Sequence, residues 1–239
     1  MLYSVFQSIA SGQGVNMSTV IAQILASLLV IFLILPFHEF AHGWVAYKLG
    51  DPTAKNSGRL TLNPIASLDL VGTLGILLFG IGWAKPVPID SRYFHNPKKD
   101  VALTALAGPL ANLLASFICA IFVNIVILIS GGSVSQGIYY SSAVATFFIQ
   151  FFLYCAMINV SLAVFNLLPV PPLDGSRIIG VFLSDRAAAI YYRYENIIMW
   201  VFMAIVFFGG LDGILYPLQN WFTRGIMFLA KLPFGIAGV

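Results

Sequence analysis

Long apolar runs are the feature that most narrows what this chain can fold into. Residues 18–48, 101–129 and 141–168 each exceed the roughly 20 residues an α-helix needs to cross a hydrocarbon layer. A further apolar run opens at 196–208. Backbone in lipid has to satisfy its own hydrogen bonds, so runs of this kind are helices. Of the 239 residues, 59% are hydrophobic and 9% charged, against about 25% charged in soluble domains. The expected fold is an α-helical polytopic membrane protein with four to six transmembrane helices. Residues 1–17 are uncharged and too short to span, and read as an N-terminal interfacial segment without a cleavable leader. Residues 18–239 read as one membrane-embedded domain. The stretch 214–239 is apolar but carries Arg224 and Lys231, which suits an interfacial helix or a tilted further span.

The charges sit in two places. Seven of the twelve Lys and Arg lie in 48–99 and three in 169–195, so both stretches belong on one face of the bilayer. The positive-inside rule makes that face cytoplasmic and sends the uncharged loop 130–140 outward. The net charge of +3 is dispersed over loops, which argues against a nucleic-acid partner. Within the first charged stretch, 65–83 is apolar but broken by Asp69, Gly72, Gly75, Gly80 and Gly82. It reads as a re-entrant or interfacial β-hairpin between the first two spans. Trp44 and Trp83 flank the interface as anchors, and Cys119 and Cys155 read as small buried hydrophobes.

The chemistry starts at HEFAH, residues 38–42. His38 and His42 project from nearly one side of a helix, because four residues almost complete a turn. Such a pair holds one Zn2+ through two imidazole nitrogens, and Glu39, one position on, reaches a metal-activated water without being a ligand. Pro36, just upstream, bends the helix beside the pair. His42 lies six residues before Lys48, about 9 Å of helix, so the pair sits shallowly under the charged face. Zinc in an open site needs a third protein ligand. Asp51, Asp90, Asp100, Asp185 and His95 read as solvated loop residues. Asp174, three residues before Arg177 in the second charged stretch, and Asp69, in an apolar stretch, are the candidates. A closed structural site would need a fourth protein ligand, and none stands out. A metal transporter would need more polar residues across the bilayer than Asn112, Asn124, Gln150 and Asn159.

HEFAH in a membrane helix, followed by FNLLPVPPLDGSRI (165–178), resembles the site-2 proteases, polytopic zinc metalloproteases that cut substrates within or beside the membrane. GRLTLNP (58–64), GWAKPVPID (82–90) and ALAGPLANL (105–113) look like its compact bacterial and archaeal branch, without PDZ or CBS domains. The similarity covers most of 35–177. The family's N-x-x-P-x-x-x-L-D-G aspartate, its third zinc ligand, falls on Asp174. The resemblance implies a zinc-dependent endopeptidase with one Zn2+ on His38, His42 and Asp174, and Glu39 as the catalytic base. Asn112 and Asn166 are candidates to contact the oxyanion or the substrate backbone. The substrate would be a single-pass membrane protein or a signal-peptide remnant, cut near the cytoplasmic face, with the hairpin offering a strand edge to its unwound segment. Pro169, Pro171 and Pro172 would break the third span and turn Asp174 back. One departure stands out: after Asn63–Pro64, where many relatives read histidine, an aliphatic residue, aspartate and proline, this chain has Ser67, Leu68, Asp69 and Leu70.

Overall fold

The first apolar run folds as one helix with a widened turn in it. Helix α1 runs Met17–Lys48, and Asn16 caps it by accepting a hydrogen bond from the Ser18 amide. Residues Val30–Ile34 form a π turn, closed by the Leu35 amide on the Val30 carbonyl. Pro36 explains its position. A proline has no N–H for the carbonyl four residues back, and its ring crowds that turn, so a locally wider turn absorbs the misfit. The computed structural model describes residues 16–79, 84–130 and 142–234. Nearly all of the expected interfacial segment 1–17 and of the outward loop 130–140, together with Trp83, falls outside these.

Three short helices follow: α2 (Thr53–Asn56), α3 (Pro64–Ser67) and α4 (Leu70–Phe79). Residues 84–90 are extended and lead through a 3₁₀ turn, Ser91–Tyr93, into α5 (Pro97–Ile129). Then come α6 (Ala143–Asn166), α7 (Asp174–Ile179), α8 (Asp185–Arg193), α9 (Glu195–Phe207) and α10 (Asp212–Lys231).

Two expectations are corrected. No strand occurs among the described residues, so the β-hairpin is absent there, and helices occupy most of that stretch. Local capping decides it: the Asn63 side chain accepts from the Ile65 amide, and Asp69 Oδ1 accepts from the Gly72 amide at 2.8 Å. These bonds start helices where the glycines alone suggest a hairpin. The amides of the extended residues go elsewhere: Lys85 to the Ser67 carbonyl, Val87 to Glu39 and Asp90 to Asp51. The span count is the second correction. Among the described residues three helices are long and apolar enough to cross a membrane: α1, α5 and α6. The expected fourth span is the 13-residue α9, about 20 Å long. The chain is a multi-pass membrane protein, and its described residues hold three such helices.

Helix α5 packs along α6 and against the second half of α1, while the first half of α1 packs on α6. Small residues line these contacts. Ala22, Ala26, Ala111, Ala115, Ala120, Ala156 and Ala163 are all buried, letting the backbones approach where lipid supplies no hydrophobic drive. Between them sit Val30, Ile31, Ile34 and Leu35 against Ala115, then Ala26 with Cys119, Cys155 and Ala156. Both cysteines are free and buried. Phe32, Leu33, Leu110, Leu114, Ile118 and Phe122 point outward. Hydrogen bonds tie the helices: Ser116 Oγ donates to the Ala156 carbonyl at 3.0 Å, and Asn124 Nδ2 to the Ala230 carbonyl at 3.1 Å, which pins α10 to α5.

The two charged stretches meet, Lys98 Nζ lying 2.7 Å from Asp185 Oδ1. Their aspartates divide. Asp90 pairs with Arg92, whose hydrogen bonds hold its carboxyl below the usual range. Asp51 and Asp100, expected to be solvated, are buried. Asp51 accepts from the Thr53 amide and hydroxyl and from the Asp90 amide; Asp100 accepts from the Asn96 amide. Folded loops need acceptors for enclosed amides, and a short carboxylate supplies two.

Candidate metal centre

His38 and His42 are both buried on one side of α1, near its C-terminal end. His42 Nδ1 lies 2.7 Å from the Thr104 carbonyl of α5. A carbonyl only accepts, so Nδ1 carries a proton, and with the ring neutral Nε2 is left free for a metal. That atom is 3.0 Å from His38 Nε2. Asp174 Oδ2 approaches both, at 3.4 Å from His38 Nε2 and 3.3 Å from His42 Nε2.

Three potential ligand atoms thus converge, and Asp174 Oδ2 is enclosed without any hydrogen bond. Two ligands on a tetrahedral zinc, each at about 2.0–2.1 Å, stand about 3.3 Å apart. The three observed separations fit that spacing, and two imidazoles with a carboxylate are a zinc donor set. Among the described residues this is the one group of three or more His, Cys, Asp or Glu close enough to share an ion. Asp69, the other candidate from the residues alone, caps α4 instead, and His95 stays exposed in its loop.

The backbone makes room for the cluster. A β-carbon on Gly108 of α5 would lie 2.3 Å from His42 Nε2 and 2.5 Å from His38 Cε1, so only a residue without a side chain fits there. Asp174 is brought back by the turn after α6. Leu168, Val170 and Leu173 each donate their amide to a carbonyl two or three residues back. Ser176 Oγ donates to the Leu173 carbonyl and Tyr191 to the Pro169 carbonyl. Gly175 lets α7 seat on the end of α6, since a β-carbon there would come within 2.3 Å of the Leu167 and Leu168 carbonyls.

Glu39 lies beside this cluster, and its Oε2 accepts the Val87 amide at 2.8 Å. Val87 belongs to an extended strap, residues 84–90, held at both ends. Arg59 Nη2 donates to the Lys85 carbonyl at 2.6 Å, Lys85 donates to Ser67, and Asp90 donates to Asp51. Neither Val87 nor Arg59 stands out as functional in the sequence. The available signal is Pro86–Val87–Pro88, where prolines on both sides leave Val87 the one backbone donor among the three. Strap and cluster enclose a cavity of about 320 Å³, lined by His38, Glu39, His42, Asn166, Asp174 and Arg177 with walls from Leu35, Val87, Ile89, Leu162 and Phe165. Asn166 donates Nδ2 to the Leu162 carbonyl and faces this space. Asn112 is 0% exposed, and the cavity lining does not include it.

Residues 26–209 match the model of Peptidase family M50. The chain belongs to that family. The matched span takes in both motifs of the site-2 protease resemblance, HEFAH and LDG. As an M50 peptidase it is a zinc metalloendopeptidase, with Zn2+ as its cofactor. This M50 chain is 41% identical over 194 residues to YwhC of Bacillus subtilis (strain 168), named as a zinc metalloprotease, covering 80% of this chain and 85% of that one. It is 31% identical over 144 residues to Rip2 of Mycolicibacterium smegmatis, also named as a zinc metalloprotease, covering 58% of this chain and 49% of that one. Rip2 of Mycobacterium tuberculosis is 27% identical over 191 residues, covering 75% and 67%. No solved structure matches the chain.

Proposed function

We propose that this M50 peptidase hydrolyses a peptide bond within or next to a transmembrane segment of a membrane-protein substrate, near the cytoplasmic face. In this reading His38, His42 and Asp174 hold the zinc and Glu39 is the catalytic base. The observation that carries the ligand assignment is the convergence of three potential ligand atoms at 3.0–3.4 Å beside a glutamate. Bound there, zinc polarises a carbonyl oxygen and acidifies a water.

The chain's own groups do the rest. Glu39 Oε2 is occupied by the Val87 amide, which leaves Oε1 to take the proton of the attacking water and return it to the leaving amine. Thr104 fixes the His42 tautomer that keeps Nε2 available. The apolar cavity walls seat the unwound substrate segment and limit the water around it, while Asn166 contacts its backbone or the developing oxyanion. The cytoplasmic placement is supported by the ten Lys and Arg in the two charged stretches, which meet through Lys98 and Asp185. The substrate would be a single-pass membrane protein or a signal-peptide remnant, since a cavity of about 320 Å³ takes a few residues of extended chain rather than a folded domain. Residues 18–239 act as one membrane-embedded peptidase domain.

The test compares Glu39→Gln with His38→Ala in lipid-reconstituted protein. The first keeps zinc and loses cleavage of a membrane-peptide substrate; the second loses both. An active Glu39→Gln variant overturns the assignment. Proteomics of membrane peptides that accumulate in cells carrying Glu39→Gln identifies the substrate.

A further inference from the structure

Each zinc-ligand histidine has a second nitrogen, and the two are treated differently here. His42 Nδ1 gives its proton to the Thr104 carbonyl, whereas His38 Nδ1 is buried with no hydrogen-bond partner. Besides Thr104 Oγ1 and Asp174 Oδ2 at the cluster itself, two more buried side chains are short of partners: both amide atoms of Asn112, and Asn159 Oδ1. Asn112 and Asn159 are both 0% exposed. A fully enclosed side-chain amide with neither atom bonded is costly and calls for an explanation.

The helices bring these atoms to one level. On α1, Leu35 packs on Ala115 of α5, and His42 bonds Thr104 of α5. The two helices therefore run antiparallel, and His38, between Leu35 and His42, stands opposite the stretch between Ala115 and Thr104. The β-carbon position of Gly108 against His38 Cε1 fixes the lower edge of that stretch, and Asn112 lies one turn further along the same side. Helices α5 and α6 also run antiparallel, since the beginning of one and the end of the other line the cavity. Ser116 bonds Ala156, so one turn back along α5 and one turn on along α6 places Asn112 beside Asn159 and Val160.

The unpaired atoms are complementary. His38 Nδ1 is a donor when Nε2 is bare for a metal; Asn112 offers one acceptor and one donor; Asn159 Oδ1 is an acceptor. Asn159 is anchored at its other end, Nδ2 donating to the Cys155 carbonyl at 2.8 Å. We propose that Asn112 is the positioning residue of His38, accepting its Nδ1–H and donating in turn to Asn159 Oδ1, each link through one enclosed water. The relay fixes the His38 tautomer and ring plane as the Thr104 carbonyl does for His42. Asn112 then acts through His38 and does not touch substrate, in keeping with its absence from the cavity wall. The inference rests on the proposed zinc ligation.

The experiment measures zinc affinity by chelator competition, and the visible absorption of the Co2+-loaded protein, for full-length protein in lipid nanodiscs. Asn112→Leu, close in shape but without polar atoms, weakens zinc by 10–100-fold and alters the Co2+ bands. Asn112→Asp, which keeps an acceptor for His38, binds zinc at least as tightly as wild type. Asn159→Leu gives a smaller loss, and Asn124→Leu, whose amide bonds Ala120 and Ala230, leaves zinc affinity unchanged. Should Asn112→Leu fail to fold, Asn112→Ser against Asn112→Asp carries the same comparison, with the loss expected in the serine variant. Zinc affinity and Co2+ bands like wild type in the folded leucine or serine variant overturn the relay and leave the ligand assignment standing. A wild-type protein that takes up no zinc overturns both.

Discussion

The Val87 amide reaches Glu39 Oε2 across 2.8 Å, joining a strap of the charged stretch to the glutamate of the HEFAH motif. The bond fixes one carboxylate oxygen and so aims the other. Hydrogen bonds to charged groups contribute about 1.5–3 kcal/mol, which corresponds to about 10–150-fold in rate if the contact is kept through the transition state. Val87→Pro removes the donor and is expected to lower kcat by that range with little change in KM or zinc content. Val87→Ala keeps the donor and stays within a few-fold of wild type. Steady-state cleavage of a fluorogenic membrane peptide separates the two.

Gly108 sits where any β-carbon would overlap the imidazoles, at 2.3 Å from His42 Nε2. The neighbour on that side is the His42 ring, backed by the Thr104 carbonyl, so it has little freedom to move away. Gly108→Ala is expected to abolish stoichiometric zinc uptake, measured by mass spectrometry of metal content after purification, while the helical signal in circular dichroism persists.

Asp51 is fully buried and gathers the Thr53 amide and hydroxyl together with the Asp90 amide. Asp51→Ala leaves those donors enclosed without an acceptor and costs about 1–3 kcal/mol. Asp51→Asn, which keeps one oxygen, costs less. Because the Asp90 bond anchors one end of the strap, both variants are expected to lower kcat alongside thermal stability, in the order Ala below Asn below wild type. A loss of stability with full kcat would show that the strap stays in place without this anchor.

Removing zinc should loosen the bundle as well as stop catalysis. The proposed ligands come from α1 and α7, so an ion bound to the folded protein and absent from the unfolded one stabilises it, by about 2.7 kcal/mol at a hundredfold excess over Kd. Chelation is expected to lower the unfolding temperature of wild type, but not of His38→Ala. Scanning calorimetry in detergent, with and without added zinc, reads the difference.

Legibility in the sequence followed the range of the interactions. The histidine pair and its glutamate are local, set by helical spacing within five residues, and the structure keeps them together. Asp174 could not be chosen over Asp69 from the residues alone, because its approach depends on how Leu168, Val170 and Leu173 fold the turn after α6; the family motif made the choice. The hairpin was misread because Asn63 and Asp69, which start α3 and α4, are equally common in turns. Asp51 looked solvated because nothing local shows that an amide 39 residues away, that of Asp90, needs its second oxygen. The spans α1, α5 and α6 were plain from length and apolarity, whereas the extra spans were not, since the apolar run of α9 closes after 13 residues.

The π turn at Val30–Ile34 carries a consequence for how length variation is tolerated. A widened turn stores one residue more than the regular spiral, so losing a residue there would regularise the helix and leave everything downstream facing as before. The same loss a turn and a half later would swing both imidazoles by about 100° around the helix axis, away from their partners. A deletion within Val30–Ile34 thus keeps the histidines facing their partners, at the cost of returning Pro36 to a regular turn, while one just downstream turns them away.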